Sequence, residues 1–184
     1  MENGRPKAFE IIRLITDSEH HFNDLCFKIR TLASTWLLAT FAGVGFILTG
    51  QGDFVFAKTT VVILICWAGA VGVFVLWILD LQVYQKLLNT WFDARKEIEQ
   101  ESTYLPNMWE RMKATQPGGR AANLIRFYYI ATCCAPLVLA LAISIEKLNF
   151  DDGVSVILAV TTAVILLSST LAILYLSPAD NVED

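Results

Sequence analysis

Charge disappears from the chain between Thr59 and Leu79. The 21 residues TTVVILICWAGAVGVFVLWIL contain no Asp, Glu, Lys, Arg or His. As an α-helix they extend roughly 31 Å, about the thickness of a hydrocarbon core. Three further runs share the property: Thr31 to Gly52, Phe127 to Ile145, and Gly153 to Ala179, with the last crossing expected over Val154 to Leu176. In lipid every backbone polar group must be paired within the segment, so apolar runs of this length are helices. The pattern predicts an all-α integral membrane protein with four transmembrane helices arranged as two hairpins. The cluster Gly50, Gln51, Gly52, Asp53 stops the first span, and the connection to Lys58 is too short for anything but an antiparallel return. Glu146 to Asp152 joins the third span to the fourth in the same way. Pro136 falls in the middle of the third span, where neighbouring helices must satisfy the carbonyl it frees.

Two polar stretches adjoin the first pair of spans, and each is patterned. Ala8, Ile12, Ile15, Glu19, Phe22, Cys26, Ile29, Ala33 and Trp36 alternate steps of four and three, so they share one stripe of a helix that only Glu19 breaks. No breaker separates this helix from the first span, and one rod is expected. Beyond Asp80, the residues Leu81, Tyr84, Leu88, Trp91 and Ile98 form a heptad-like stripe, with Arg95 at the remaining position. Both are amphipathic helices seeking a partner for one face, and packing them together buries both. Pro106 is expected to start a short helix through Trp109, and Gln116-Pro117-Gly118-Gly119 a turn.

The organisation is therefore 1–30, an amphipathic helix; 31–79, a first transmembrane hairpin; 80–126, a helical stalk and hinge; 127–176, a second hairpin; and 177–184, an acidic tail. Composition agrees with it. Hydrophobic residues make up 55% of the 184 and charged residues 17%, against about 25% charged in soluble domains. The net charge of −4 hides an asymmetry. Of the 14 Lys and Arg, five lie in 1–30 and seven in 80–126, and the two short turns carry only Lys58 and Lys147. The positive-inside rule makes the basic side cytosolic and puts both termini there. Trp36, Trp77, Tyr128, Tyr129 and Tyr175 fall near that same boundary, where amphipathic rings favour the headgroup level. Trp67 is the exception, in mid-span.

The spans themselves hold no Asp, Glu, Lys, Arg or His, which argues against a proton- or sodium-driven carrier. Neutral polar residues are present. Ser155, Thr162 and Ser169 recur every seven residues on the fourth span, as a pore-lining or helix-contact stripe, and Ser and Thr more often serve packing. Ala39 with Gly43, and Ala68 with Gly72, are small-xxx-small pairs that let helices approach closely. Trp91 and Trp109 are candidate docking residues for a partner. Cys133 and Cys134 diverge by about 100° on a helix and make poor disulfide partners. His20 and His21 have no third metal ligand in view, and no metal or other cofactor is expected. Arg13 and His20 match R-x6-H, the loose end of the spacing in HEPN-type ribonucleases, where Arg holds phosphate and His does acid–base work. No nucleotide-binding loop, metal cluster or nucleophile elbow occurs, and no basic run suggests nucleic acid. No enzyme activity is expected.

An amphipathic helix running into TLASTWLLATFAGVGFILTG, with a helical continuation after the second span, resembles the layout of small membrane effectors of bacterial conflict and antiphage systems. The resemblance implies an effector that oligomerises and perturbs the inner membrane when a partner senses infection. The chain shows no sensor domain, so a cytosolic protein or small ligand bound by the stalk would supply the trigger. The expectation is a homo-oligomeric, pore-forming or membrane-perturbing protein in contact with lipid. The alternatives are a non-conducting anchor or regulatory subunit that docks a soluble partner, and a membrane-tethered HEPN-like ribonuclease.

Overall fold

A computed structural model of the chain describes residues 5–50, 56–101, 120–146 and 153–176. The described residues are all helical apart from short ends. α1 spans Arg5–Thr49, α2 Lys58–Trp77, α3 Gln85–Glu101, α4 Arg120–Glu146 and α5 Gly153–Leu176. Between α2 and α3 the helix does not break. It passes through a π-helical segment, Ile78–Tyr84, so Lys58–Glu101 is one rod of 44 residues. Four helices are long and apolar enough to cross a membrane: Glu10–Thr49, Lys58–Glu101, Asn123–Glu146 and Gly153–Leu176. The expected short helix at Pro106, Trp109, the turn at 116–119 and the acidic tail lie outside the described residues.

α1 is uninterrupted for 45 residues because nothing in it breaks a helix. Its glycines, Gly43 and Gly45, lie among Ala, Val and Phe, and its only proline, Pro6, is in the first turn, where the missing N–H costs nothing. Its buried positions run in heptads: Glu19, Cys26, Ala33, Thr40 and Ile47. That repeat is the signature of helices packed side by side with a slight left-handed twist. α1 packs on α2 and α3, α2 also on α4, and α4 on α5. Gly43 lies opposite Ile65, Gly69 opposite Thr40 and Gly72 opposite Trp36. Further along, Arg30 meets Asp80 and Glu19 meets Arg95. Numbers rise on one helix as they fall on the other, so α1 and the Lys58–Glu101 rod run antiparallel.

The π-segment changes the phase of the second rod. Before it, Cys66, Val73 and Asp80 are buried at intervals of seven, as are Ile63, Ala70 and Trp77. After it, the inward positions are Leu88 and then Arg95, eight and fifteen residues beyond Asp80. A second row reaches Glu99 from Trp77 in 22 residues, which is three heptads and one extra. A π-turn accommodates one additional residue within a helix. The insertion keeps the buried row facing α1 over the full length of both rods.

Two small-residue contacts set the spacing of α1 and α2. A Cβ at Gly69 would lie 2.5 Å from Thr40 Cγ2 and 2.6 Å from its Oγ1, and one at Gly72 would overlap the Trp36 indole. Of the expected small pairs, Gly72 is at the contact, whereas Ala68 and Ala39 are exposed. Gly69, one position on, does the work expected of Ala68.

Candidate functional site

The π-segment is where the helices are tied together. Asp80 is fully buried, at 0% exposure. Arg30, the last charge before the apolar part of α1, binds it side-on: Nε donates to Oδ2 at 2.7 Å and Nη2 to Oδ1 at 3.3 Å. From α4, the Tyr129 hydroxyl donates to the same Oδ2 at 2.9 Å. The buried Cys26 thiol, one turn before Arg30, lies within the field of the carboxylate. Two residues further along the π-segment, the Gln82 amide donates to the carbonyl of Leu176 at the end of α5. One seven-residue segment therefore holds side chains or backbone of α1, α4 and α5.

A carboxylate can be buried in such a place only if its oxygens are saturated and a countercharge is adjacent. Both conditions hold. Bidentate Arg–carboxylate contacts also fix geometry, because the guanidinium fork has one best approach. Burial, followed by the adjacent Asp80 charge, pushes the Cys26 thiol up to about 12, so it stays protonated. Burial opposes the Arg30 charge, but the hydrogen bond and charge of Asp80 outweigh it and raise the guanidinium above its ordinary value. A second layer braces Arg30. Tyr128 donates its hydroxyl to the Arg30 carbonyl at 2.8 Å and meets Ser34 Oγ at 2.7 Å.

A second ion cluster lies three to four turns away on the polar ends of the rods. Arg95 donates through Nη1 to Glu19 Oε2 at 3.0 Å and through Nε to Glu99 Oε1 at 2.9 Å. Glu19 and Arg95 are the two residues that broke the apolar stripes of their own helices. Paired, each becomes the other's reason for being there. Glu19 Oε1 and, in the apolar part, Trp77 Nε1 are buried without a hydrogen-bond partner.

The residues singled out from sequence are placed as follows. Thr162 is fully buried, and its hydroxyl accepts a hydrogen bond from Trp67 Nε1 at 3.0 Å while donating to the Leu158 carbonyl at 2.7 Å. The mid-span tryptophan thus has its polar edge matched to the α5 stripe. Ser169 is buried and returns its proton to Leu166 O at 3.1 Å, and Ser155 is half-buried. The outward face of α5 carries Val154, Ile157, Val160, Val164, Leu167 and Leu174, all exposed. Trp91 is half-buried on α3, and Trp109 lies outside the described residues. Arg13, His20 and His21 are exposed on α1. Among the described residues no group of three or more His, Cys, Asp or Glu could hold a metal ion. Cys133 and Cys134 are free thiols.

Sequence reasoning overlooked Asp80, Arg30, Tyr129 and Cys26 as a unit. A signal was present: Arg30 and Asp80 are opposite charges flanking two charge-free runs at the same end. Helices that return antiparallel bring such charges to one level. No family model, no curated protein and no solved structure matches the chain. The described residues define its class directly: they are helical, with four helices long and apolar enough to cross a membrane.

Proposed function

We propose that this chain is a multi-pass effector of the bacterial plasma membrane, built as two transmembrane hairpins with both termini cytosolic. Its amphipathic extensions, residues 5–30 of α1 and all of α3, form a two-helix cytosolic stalk. The stalk controls a bundle that assembles into homo-oligomers and perturbs or permeabilises the membrane, in the manner of antiphage effectors. A cytosolic protein or small ligand acting on the stalk is the trigger. Twelve of the 14 Lys and Arg on the stalk side support the orientation.

The observation that carries the reading is mechanical. Both stalk helices are continuous with spans, and the Asp80 hub ties α1 to α4 at the point where stalk becomes bundle. A displacement of the stalk cannot be absorbed by a loop, so it reaches the bundle. π-turns occur frequently at functional sites. Interior networks of this kind have discrete arrangements rather than continuous ones, which suits switching.

Inducible expression in bacteria loaded with a membrane-potential dye tests the proposal. Overexpression, or phage challenge of expressing cells, is expected to depolarise the membrane, and Asp80→Asn to abolish the response at equal membrane abundance. An unchanged potential under both conditions contradicts it. One observation favours the second reading, a non-conducting anchor or regulatory subunit: Thr162 and Ser169 face inward, leaving an apolar outer face on α5. On that reading the same cells keep their potential, and a stoichiometric soluble partner is recovered that Trp91→Ala releases.

A further inference from the structure

A groove of about 330 Å³ opens between α1 and α4 beside the Asp80 hub, lined by Phe27, Arg30, Ser34, Leu124, Ile125 and Tyr128. We propose that this groove binds one anionic phospholipid of the cytosolic leaflet, its phosphate on Arg30 and an acyl chain along Phe27, Leu124 and Ile125. The assignment rests on the membrane topology proposed above.

Three observations select a phospholipid. The first is depth. Arg30 is the residue before the charge-free run of α1, and Leu124 and Ile125 precede the charge-free run of α4. The groove therefore straddles the level where headgroups meet hydrocarbon. The second is the unused edge of Arg30. Its Nε and Nη2 are spent on Asp80, Nη1 has no partner among the described residues, and the side chain keeps 29% exposure. A guanidinium presents five N–H groups in a fixed fork, so one edge can hold Asp80 while the other takes a phosphate oxygen. The third is the walls. Phe27 is 70% exposed and Leu124 65%, which is costly against water and natural against an acyl chain. A free inorganic anion would find one cation in the groove and no uncommitted hydroxyl, since Tyr128 and Ser34 are engaged with each other and the Arg30 carbonyl, and Thr31 with the Phe27 carbonyl. Charge and apolar surface are complementary to the two ends of one lipid molecule.

The test is native mass spectrometry of the full chain released from detergent, titrated separately with phosphatidylglycerol, phosphatidylcholine and inorganic phosphate. One saturable phosphatidylglycerol is expected per chain, with weaker phosphatidylcholine binding. Leu124→Trp places a ring in the groove from an exposed position, so the fold is retained, and is expected to weaken phosphatidylglycerol by about tenfold or more. Arg30→Lys keeps a cation for Asp80 but loses the second edge, and is expected to weaken it by a similar factor, the worth of one charge-assisted hydrogen bond. Unchanged phosphatidylglycerol binding in Leu124→Trp overturns the assignment. So does displacement of the lipid by millimolar phosphate, which marks a free-anion site, or a change of oligomeric mass in Leu124→Trp without lipid, which marks a contact between copies. A chain that binds the lipid yet leaves the membrane potential unchanged keeps this inference and removes only the effector reading.

Discussion

Asp80→Ala is expected to be the most damaging single substitution in the chain. It removes the one acceptor shared by Arg30 and Tyr129. Arg30 then keeps its charge in a mostly buried position, and the Tyr129 hydroxyl, at 0% exposure for the residue, loses its partner. Breaking a buried ion pair from one side typically costs about 3–5 kcal/mol, because the remaining charge is desolvated and uncompensated. Thermal unfolding of detergent-purified protein should show it as a large loss of stability, and membrane abundance should fall. The informative comparison is Arg30→Met with Asp80→Leu. Replacing both partners by apolar groups leaves no stranded charge, so the double variant should be more stable than either single one. If instead the two single losses simply add, Asp80 and Arg30 are not acting as a pair.

The second large effect is expected at Gly69. A Cβ there would approach Thr40 Cγ2 to 2.5 Å and Thr40 Cβ to 3.1 Å. Thr40 cannot swing aside. It is β-branched, its χ1 is restricted within a helix, and its hydroxyl is engaged with the Trp36 carbonyl at 2.9 Å. Gly69→Leu must therefore push α1 away from α2, with a cost of about 1–3 kcal/mol or more for overpacking. Because the Asp80 hub and the Glu19–Arg95 pair lie further along the same two rods, the displacement should loosen both. Gly43→Ala is the control on the facing helix. Its Cβ would sit 3.7 Å from Ile65 Cγ2, an ordinary contact, and stability should hold or rise slightly, since alanine favours a helix over glycine. Equal unfolding temperatures for Gly69→Leu and Gly43→Ala would show that close approach at Gly69 does not hold the helices together.

Much of the fold was legible in the sequence, for a simple reason. Lipid penalises charge so strongly that charge-free runs of about 20 residues stand out without any knowledge of packing. The continuity of α1 was legible too, since its apolar stripe ran into Thr31 without a breaker. The hub was not. A π-turn has no composition of its own, and Asp80, the first charge after a long apolar run, reads naturally as the place where a helix meets water. Its burial follows from the arrival of Arg30 from another helix. Glu19 and Arg95 were similarly opaque. Each is a flaw in its own stripe, and only antiparallel placement shows that the flaws cancel. The small-residue contact was misplaced by one position, at Ala68 instead of Gly69, because residues 68–72 of α2 carry four small side chains and periodicity alone does not choose among them. Thr162 was legible as part of a stripe, but its partner, Trp67, was noticed only as an aromatic residue at an unusual depth.

The proposed effector needs both basic rods on the cytosolic side of the lipid, and topology labelling measures that directly. Single cysteines at Lys58→Cys and Lys86→Cys can be challenged with a membrane-impermeant maleimide in spheroplasts, the native cysteines being buried or half-buried. Lys58→Cys should label in intact spheroplasts, and Lys86→Cys only after permeabilisation. Labelling of Lys86→Cys from outside, or protection of Lys58→Cys until the membrane is opened, would contradict the four crossings and the cytosolic stalk together.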